Sequence, residues 1–274
     1  MTLPEKHARL RGLLADCGSA LVCFSGGVDS TLLLKVAHEV LGERCVAMVA
    51  LSPTMASSEQ KGALELAAGI GARVEVTESH ELSREEFRMN PKDRCYHCKG
   101  ELLDLARPMA ERLGMREILL GTNTDDLGDY RPGLQAAQDR GARQPLVDAG
   151  FSKAEVRELS RELGLPTWDK PQLACLSSRF PYGTEITAER LRQVDAMEDG
   201  MRDLGFRQVR ARWHGEIVRL ELEPADIARA AQPELRAAIV KLGRDLGFAF
   251  VALDLAGFTS GSLNQLLTIR KKES

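Results

Sequence analysis

The sequence predicts an α/β fold in two parts: a parallel sheet with helices on both faces, then a smaller α+β domain. Three observations predict it. Over the first 170 residues, short β-rich runs alternate with stretches of helical periodicity, which implies βαβ units. The first of these runs, Leu21–Phe24, passes through a glycine turn straight into a helix. After Trp168 the alternation stops in a stretch with two X-Pro steps, Asp169 to Thr184, and resumes beyond it in a different order. The organisation expected is a first domain over 1–170, a connecting loop over 171–186 and a small domain over 187–274.

The elements follow in order. Strands are predicted at Leu21–Phe24, Cys45–Leu51, Arg73–Thr77 and Glu117–Leu120, each a short run rich in apolar or β-branched residues. Helices are predicted near Ser30–Leu41, Ser57–Ile70, Cys98–Leu113 and Lys153–Leu163, from apolar residues at helical spacing. In the second part, Ala188–Leu204 reads as a helix. Gln208–Trp213 and Ile217–Leu222 read as a hairpin about His214-Gly215. A helix over Pro233–Leu246 and a strand over Phe248–Leu253 complete an α-β-β-α-β order. The tail Lys271–Ser274 is expected to fray.

Composition narrows the function. Apolar residues make up 43% of 274, enough for a packed core, and no run approaches the ~18 apolar residues of a membrane span. Met1 to Gly12 is amphipathic and charged, without the apolar core of a signal peptide, so the cytoplasm is expected. With 37 Lys and Arg against 40 Asp and Glu, the balance argues against a nucleic-acid partner. Six cysteines in such a chain are not a disulfide framework. Cys17, Cys23 and Cys45 lie in or beside apolar runs and should pack as small hydrophobes.

The most informative stretch is Ser25-Gly26-Gly27-Val28-Asp29-Ser30. A strand running through Ser-Gly-Gly into a helix gathers backbone N–H groups, hydroxyls and a helix N-terminus around one concavity. That arrangement favours phosphate. It is neither a Walker A loop nor the Gly-x-Gly-x-x-Gly of dinucleotide folds. Ligands of such sheets sit at the carboxyl ends of the strands. That rule draws Ser52 and the stretch Gly121-Thr122-Asn123-Thr124-Asp125-Asp126 to the same crevice. The carboxylates of Asp125 and Asp126 suit Mg²⁺ beside phosphate, or else cap an Asx-type turn.

Three further groups could carry chemistry. Cys95-Tyr96-His97-Cys98 is a Cys-x-x-Cys without the second pair that a structural zinc needs. It could be a redox pair, two of three ligands of an iron–sulfur cluster with Cys175 as the third, or two unliganded thiols. Cys175, with Arg179 and the hydroxyls of Ser177 and Ser178 nearby, has the setting of a reactive thiolate. Arg210 and Arg212 alternate along one strand and so share a face, where two guanidiniums could grip a phosphate. Glu221 and Asp226 read as ordinary surface charges.

Ser25–Ser30 resembles the PP-loop of ATP pyrophosphatases, which split ATP between its α and β phosphates, on a Rossmann-like sheet. Further motifs narrow the resemblance. They are Asn90-Pro91 through Lys99, Gly121 through Gly133 with Asp129-Tyr130-Arg131-Pro132-Gly133, Gly164 through Pro171, and Ala174 through Gly183 with Cys175-Leu176-Ser177-Ser178-Arg179-Phe180-Pro181-Tyr182. With Lys153–Arg157 and the Arg210/Arg212 strand, they make most of the chain similar to the LarE family. These are ATP-dependent sulfur transferases that mature the nickel-pincer cofactor of lactate racemase.

The resemblance implies that ATP adenylates a carboxylate of pyridinium-3,5-biscarboxylic acid mononucleotide and that sulfur then displaces AMP. It implies phosphate and Mg²⁺ binding by Ser25, Gly26, Gly27, Asp29 and Ser30, with Ser52, Gly121, Thr122, Asp125 and Asp126 in the nucleotide site. Ser178, Arg179, Arg210 and Arg212 would hold the substrate phosphate beside Cys175, and the protein would form homo-oligomers. One branch of the family gives up the sulfur of the cysteine at position 175. Another uses three cysteines, here Cys95, Cys98 and Cys175, to hold a [4Fe-4S] cluster with an open iron, and this chain matches that branch. The alternative is a PP-loop tRNA thiolation enzyme, which would need a basic surface.

Overall fold

The computed structural model describes residues 1–128, 132–171 and 174–259. Asp129-Tyr130-Arg131 and the tail from residue 260 lie outside the described residues. Element order is α1 (Leu3–Cys17), β1 (Ala20–Cys23), α2 (Val28–Leu41), β2 (Cys45–Leu51), α3 (Ser57–Ile70), β3 (Arg73–Glu78), α4 (Glu85–Arg88), α5 (Arg94–Leu113), β4 (Glu117–Leu120), α6 (Pro132–Asp139), α7 (Pro145–Asp148), α8 (Lys153–Glu162), α9 (Ala188–Asp203), β5 (Val209–His214), β6 (Ile217–Leu222), α10 (Pro224–Ala230), α11 (Pro233–Asp245) and β7 (Phe250–Leu253). The chain divides into two compact units, Met1–Phe87 with Lys92–Leu173, and Arg88–Pro91 with Ala174–Ser274. The second unit takes in residues 174–186 and a short piece from the first half of the chain.

The first unit is built on a parallel sheet in the order β3-β2-β1-β4. Ala20, Leu21, Val22 and Cys23 of β1 pair with Cys45–Met48 on one side and Glu117–Leu120 on the other. Both faces are covered, so β1 is apolar at every position and wholly buried. Ala20 and Val22 join a core with Leu10 and Leu14 of α1, α2, and Val156 of α8. Leu21 and Cys23 turn to the other face, against Leu103, Ala106 and Met109 of α5. Burial pushes the thiols of Cys23 and Cys45 up to about 12 and raises that of Cys17, so these three pack as hydrophobes. The chain runs outward from β1 to β3 and then returns to the far side of β1. The loops after β1 and β4 therefore leave the sheet side by side at its switch point.

The second unit holds a three-stranded sheet in the order β5-β6-β7. β5 and β6 form the expected hairpin, turning at Gly215, and β7 adds parallel to β6. Val194, Met197 and Met201 of α9 are buried, as are Ala211, Val218 and Leu220 of the sheet. Several elements and boundaries differ from expectation, short added helices in the first unit among them. An extra short helix, α10, starts at Pro224, a residue suited to a first turn. β7 begins at Phe250 rather than Phe248. α5 begins at Arg94, so Cys95 lies inside the helix rather than before it, one turn from Cys98. Among the described residues no helix is long and apolar enough to cross a membrane.

Candidate functional site

The loop after β1 is shaped by two close approaches. Gly26 has φ +69°, where side chains are strained, and a Cβ on it would stand 3.0 Å from the Cα and Cβ of Ala63 in α3. Gly121, at the end of β4, runs against the first turn of α2. A Cβ on it would lie 2.7 Å from the Ser30 nitrogen and 2.8 Å from its Cα. Gly27 is different: it is the N-cap of α2 with extended φ −79°, and a Cβ there would meet only Ser25 Oγ at 3.6 Å. Ser30 donates its hydroxyl to the Gly27 carbonyl (3.1 Å) and lies 3.2 Å from Ser25 Oγ. Thr31 donates both its hydroxyl and its N–H to the same carbonyl. The turn is thus closed by its own hydroxyls, and the first N–H groups of α2 have no partner within the helix.

Asp29, in that first turn, is held from two sides. Asn123 Nδ2 donates to its Oδ1 (2.9 Å), and Lys153 Nζ, from the first residue of α8, donates to its Oδ2 (2.5 Å). Lys170 Nζ donates to the Gly26 carbonyl (3.1 Å) and pairs with Glu59 of α3 (2.6 Å). Two ammonium groups therefore stand at the loop, each matched by a carboxylate, Asp29 or Glu59, and the helix N-terminus is the group there that favours an anion. Thr122 is buried beside Asn123.

Asp125 and Asp126 both belong to the turn after β4. Asp126 Oδ2 accepts the Asn123 N–H (3.1 Å), and the Asp125 N–H donates back to Asn123 Oδ1 (2.9 Å). Asp125 Oδ2 accepts the Lys153 N–H (3.0 Å). These carboxylates set the path of the chain and, through Asn123 and Lys153, the position of Asp29. Ser52 follows β2 and turns to another partner. Its hydroxyl donates to Glu81, a wholly buried carboxylate that also accepts from Thr54 and Ser79. Ser52 is thereby part of a hydroxyl–carboxylate cluster at the ends of β2 and β3.

Cys95 is exposed and Cys98 partly buried, one turn apart at the N-terminus of α5. The turn is braced by α6, through Tyr96 Oη donating to Asp139 Oδ2 (2.9 Å). Among the described residues of this unit, no third His, Cys, Asp or Glu completes a metal-holding group with them.

In the second unit Cys175 is exposed and leads into a 3₁₀ turn, Leu176–Arg179. Arg179 is 2% exposed and directs Nε and Nη2 at both oxygens of the fully buried Glu198 (2.7 and 2.8 Å). Its Nη1 donates to the carbonyls of Ala174 and Cys175 and to Ser178 Oγ. Arg212 grips Glu221 in the same two-pronged way (3.0 and 2.7 Å) and donates to the Ser178 carbonyl (2.7 Å). Arg179 thus reaches the backbone around Cys175 rather than its thiol. Arg210 and Arg212 do share a face, with Glu221 opposite Arg210 and Arg219 opposite Arg212 on β6. Burial, then the neighbouring Arg179, brings Arg210 down to about 10. Burial alone would raise the Glu198 carboxyl, but the Arg179 pair outweighs it and holds it low.

Glu221, read from sequence as a surface charge, is fully buried and is the central acceptor of this face. Asp226 does pair at the surface, with Arg229. Sequence reasoning placed Asn123 in the crevice and Lys153 and Lys170 within motifs without assigning them these contacts, and passed over Glu198. Lys153 carried a signal, because Ser152 and Glu155 form a capping box that fixes it at the start of α8. Glu198 carried one as well, as a carboxylate in line with the apolar positions Leu191, Val194 and Met201 of α9.

No family model matches the chain. An uncharacterized protein of Synechocystis sp. is 46% identical over 97% of this chain and 99% of its own length. Pyridinium-3,5-bisthiocarboxylic acid mononucleotide synthase of Lactiplantibacillus plantarum is 41% identical over 97% of this chain and 96% of that protein. A weaker likeness, 25% over 88% of this chain and 90% of the other, links it to an uncharacterized protein of Methanocaldococcus jannaschii. With near-complete coverage at 41% identity, and a Ser-Gly-Gly loop opening a helix at the switch point of a parallel sheet, the chain belongs to the LarE family of sulfur transferases, the pyridinium-3,5-bisthiocarboxylic acid mononucleotide synthases.

Proposed function

We propose that this protein uses ATP to convert carboxylates of pyridinium-3,5-biscarboxylic acid mononucleotide into thiocarboxylates, for the nickel-pincer cofactor. The observation that carries the reading is identity to the Lactiplantibacillus plantarum synthase along nearly the whole of both chains. The loop supplies the chemistry. A carboxylate oxygen of the substrate attacks the α-phosphorus of ATP, the bond to the β-phosphate oxygen breaks, and pyrophosphate leaves. Its charge is met by the N–H groups of Gly26 and Gly27, the start of α2, and the hydroxyls of Ser25 and Ser30. ATP enters as its magnesium complex. Asp29 is the loop carboxylate whose oxygen chemistry fits that ion.

The acyl adenylate is then open to a sulfur nucleophile, which adds at the acyl carbon and expels AMP. Ser178, Arg179, Arg210 and Arg212 bind the phosphate of the mononucleotide, in a surrounding of three guanidiniums and two buried carboxylates. The sulfur source belongs to the same proposal. Cys95 and Cys98, thiols one turn apart at a helix N-terminus, are a donor set that would hold two irons of a cluster, and Cys175 is the third cysteine that the family resemblance assigns to it. A [4Fe-4S] cluster held by these thiols would supply the sulfur as sulfide.

The test is anaerobic turnover with ATP and the biscarboxylic mononucleotide, reading pyrophosphate, AMP and thiocarboxylate. No AMP with this acceptor sinks the function. Intact mass of the protein afterwards separates the sulfur sources, since loss of the mass of H₂S at Cys175 means that its own sulfur was used.

A further inference from the structure

We infer that Lys170 is a positioning residue: it clamps the Gly26–Gly27 peptide plane so that the Gly27 N–H points into the phosphate cradle. The inference rests on the reading of Ser25–Ser30 as the phosphate loop. The carbonyl of Gly26 and the N–H of Gly27 belong to one planar unit and point in opposite directions. Whatever holds the carbonyl also aims the N–H. Lys170 Nζ holds it, at 3.1 Å.

A clamp matters here because this plane lies between two glycines, the residue type that lets a peptide rotate at least cost. Gly26 is confined by the close approach of Ala63, which a Cβ would meet at 3.0 Å, but neither this nor its φ of +69° fixes the plane on its C-terminal side. The ammonium is well placed to do so. It is fixed from the other side by Glu59, and both side chains are about four-fifths buried, at 20% and 22% exposure. The backbone carrying Lys170 is tied to α8, since Arg157 donates to the carbonyls of Trp168 (2.7 Å) and Lys170 (2.8 Å). This is a lysine built onto a rigid segment and buried against the loop.

Three variants separate aiming from mere support. Lys170→Met removes the clamp, Lys170→Arg keeps a donor for the carbonyl, and Glu59→Gln removes the ion pair while leaving the amine. In the ligand-free protein, the Gly27 amide resonance should move or broaden in Lys170→Met and stay in place in Glu59→Gln. Lys170→Met should weaken binding of inorganic pyrophosphate about 10-fold or more, as expected for a charge-assisted contact. It should slow pyrophosphate release from ATP by roughly 10–100-fold, somewhat less than outright loss of one oxyanion donor. Lys170→Arg should recover most of both, and Glu59→Gln should stay within about threefold. Equal losses in Lys170→Met and Glu59→Gln would make Lys170 a structural ion pair and overturn the inference. So would an unmoved Gly27 resonance in Lys170→Met, or a wild-type loop that fails to bind pyrophosphate. A wild-type protein that binds pyrophosphate yet forms no AMP with the mononucleotide would instead overturn the functional reading, while the clamp is still measured by binding.

Discussion

The two units build their charged sites from different materials. In the first, the groups proposed to meet an anion are backbone N–H groups at the start of α2, in a loop shaped by Gly26 and Gly121 and contacted by Lys153 and Lys170. In the second, the charged groups are long side chains, with Arg179 and Arg212 buried and matched two-pronged to Glu198 and Glu221. A backbone site is held by the fold around it and can lose a side chain without collapsing. A buried ionic site is part of the core, and removing one partner leaves an uncompensated charge. The difference teaches where function and stability can be separated in this chain: in the first unit they can, in the second they are joined.

The sharpest test of that contrast is Glu221→Ala. It takes from buried Arg212 the carboxylate that it grips and deprives Arg219 of one of its two carboxylates, the other being Asp254. Loss of about 3–5 kcal/mol is expected, read as an early transition in urea unfolding. A variant as stable as the wild type, lacking only substrate binding, would break the comparison. Gly121→Ala comes next. Its new Cβ would press on the backbone of Ser30, so the loop must shift, at a cost of about 1–3 kcal/mol. Pyrophosphate release should fall by about 100-fold or more, because the N–H groups of the cradle move with Ser30.

Asp29→Ala and Ser30→Ala should behave in the opposite way to Glu221→Ala. The fold should hold within about 1 kcal/mol, since Asp29 is a partly exposed side chain and Ser30 gives up only hydrogen bonds within its own turn, to Gly27 and Ser25. Pyrophosphate release should nonetheless fall to background. Unchanged AMP formation in either variant would remove the loop from the reaction, and unfolding in either would erase the distinction between the units.

The same contrast explains what the sequence made legible. The sheet of the first unit was readable because β1 and β2 are continuous apolar runs, and the loop because Ser-Gly-Gly between strand and helix has few other uses. Arg210 and Arg212 could be placed on one face from their spacing alone. Their partners could not be. The register that sets Glu221 opposite Arg210 depends on the length of a hairpin turn, and Glu198 reaches Arg179 across the packing of α9 on the 3₁₀ turn. Lys170 reaches Gly26 over more than a hundred residues of chain. The carboxylates Asp125 and Asp126 carried two chemical readings in sequence, and their turn contacts with Asn123 and Lys153 were not legible there.

The smallest expected effect lies at the base of α8, which delivers Lys153 to Asp29. Glu155 closes the capping box with Ser152 and accepts Lys6 Nζ of α1 at 2.6 Å. Burial would raise its carboxyl, but Lys6 and Ser152 outweigh this and bring it down to about 2. A carboxyl lowered on folding contributes stability that is full above its unfolded value near 4.5 and is lost as the pH falls toward 2. With the carboxylate about a quarter exposed, solvent screening leaves a contribution of about 1 kcal/mol. The wild type should therefore lose that much between pH 5 and 2 by this group alone, and Glu155→Gln should flatten that part of the profile. Because the helix start carries Lys153, the variant should also raise the KM for ATP by about twofold at neutral pH while leaving the second unit's unfolding transition in place. If that second transition moved as well, the stability of the two units would be coupled, and the contrast drawn between them would have to be narrowed to their binding groups.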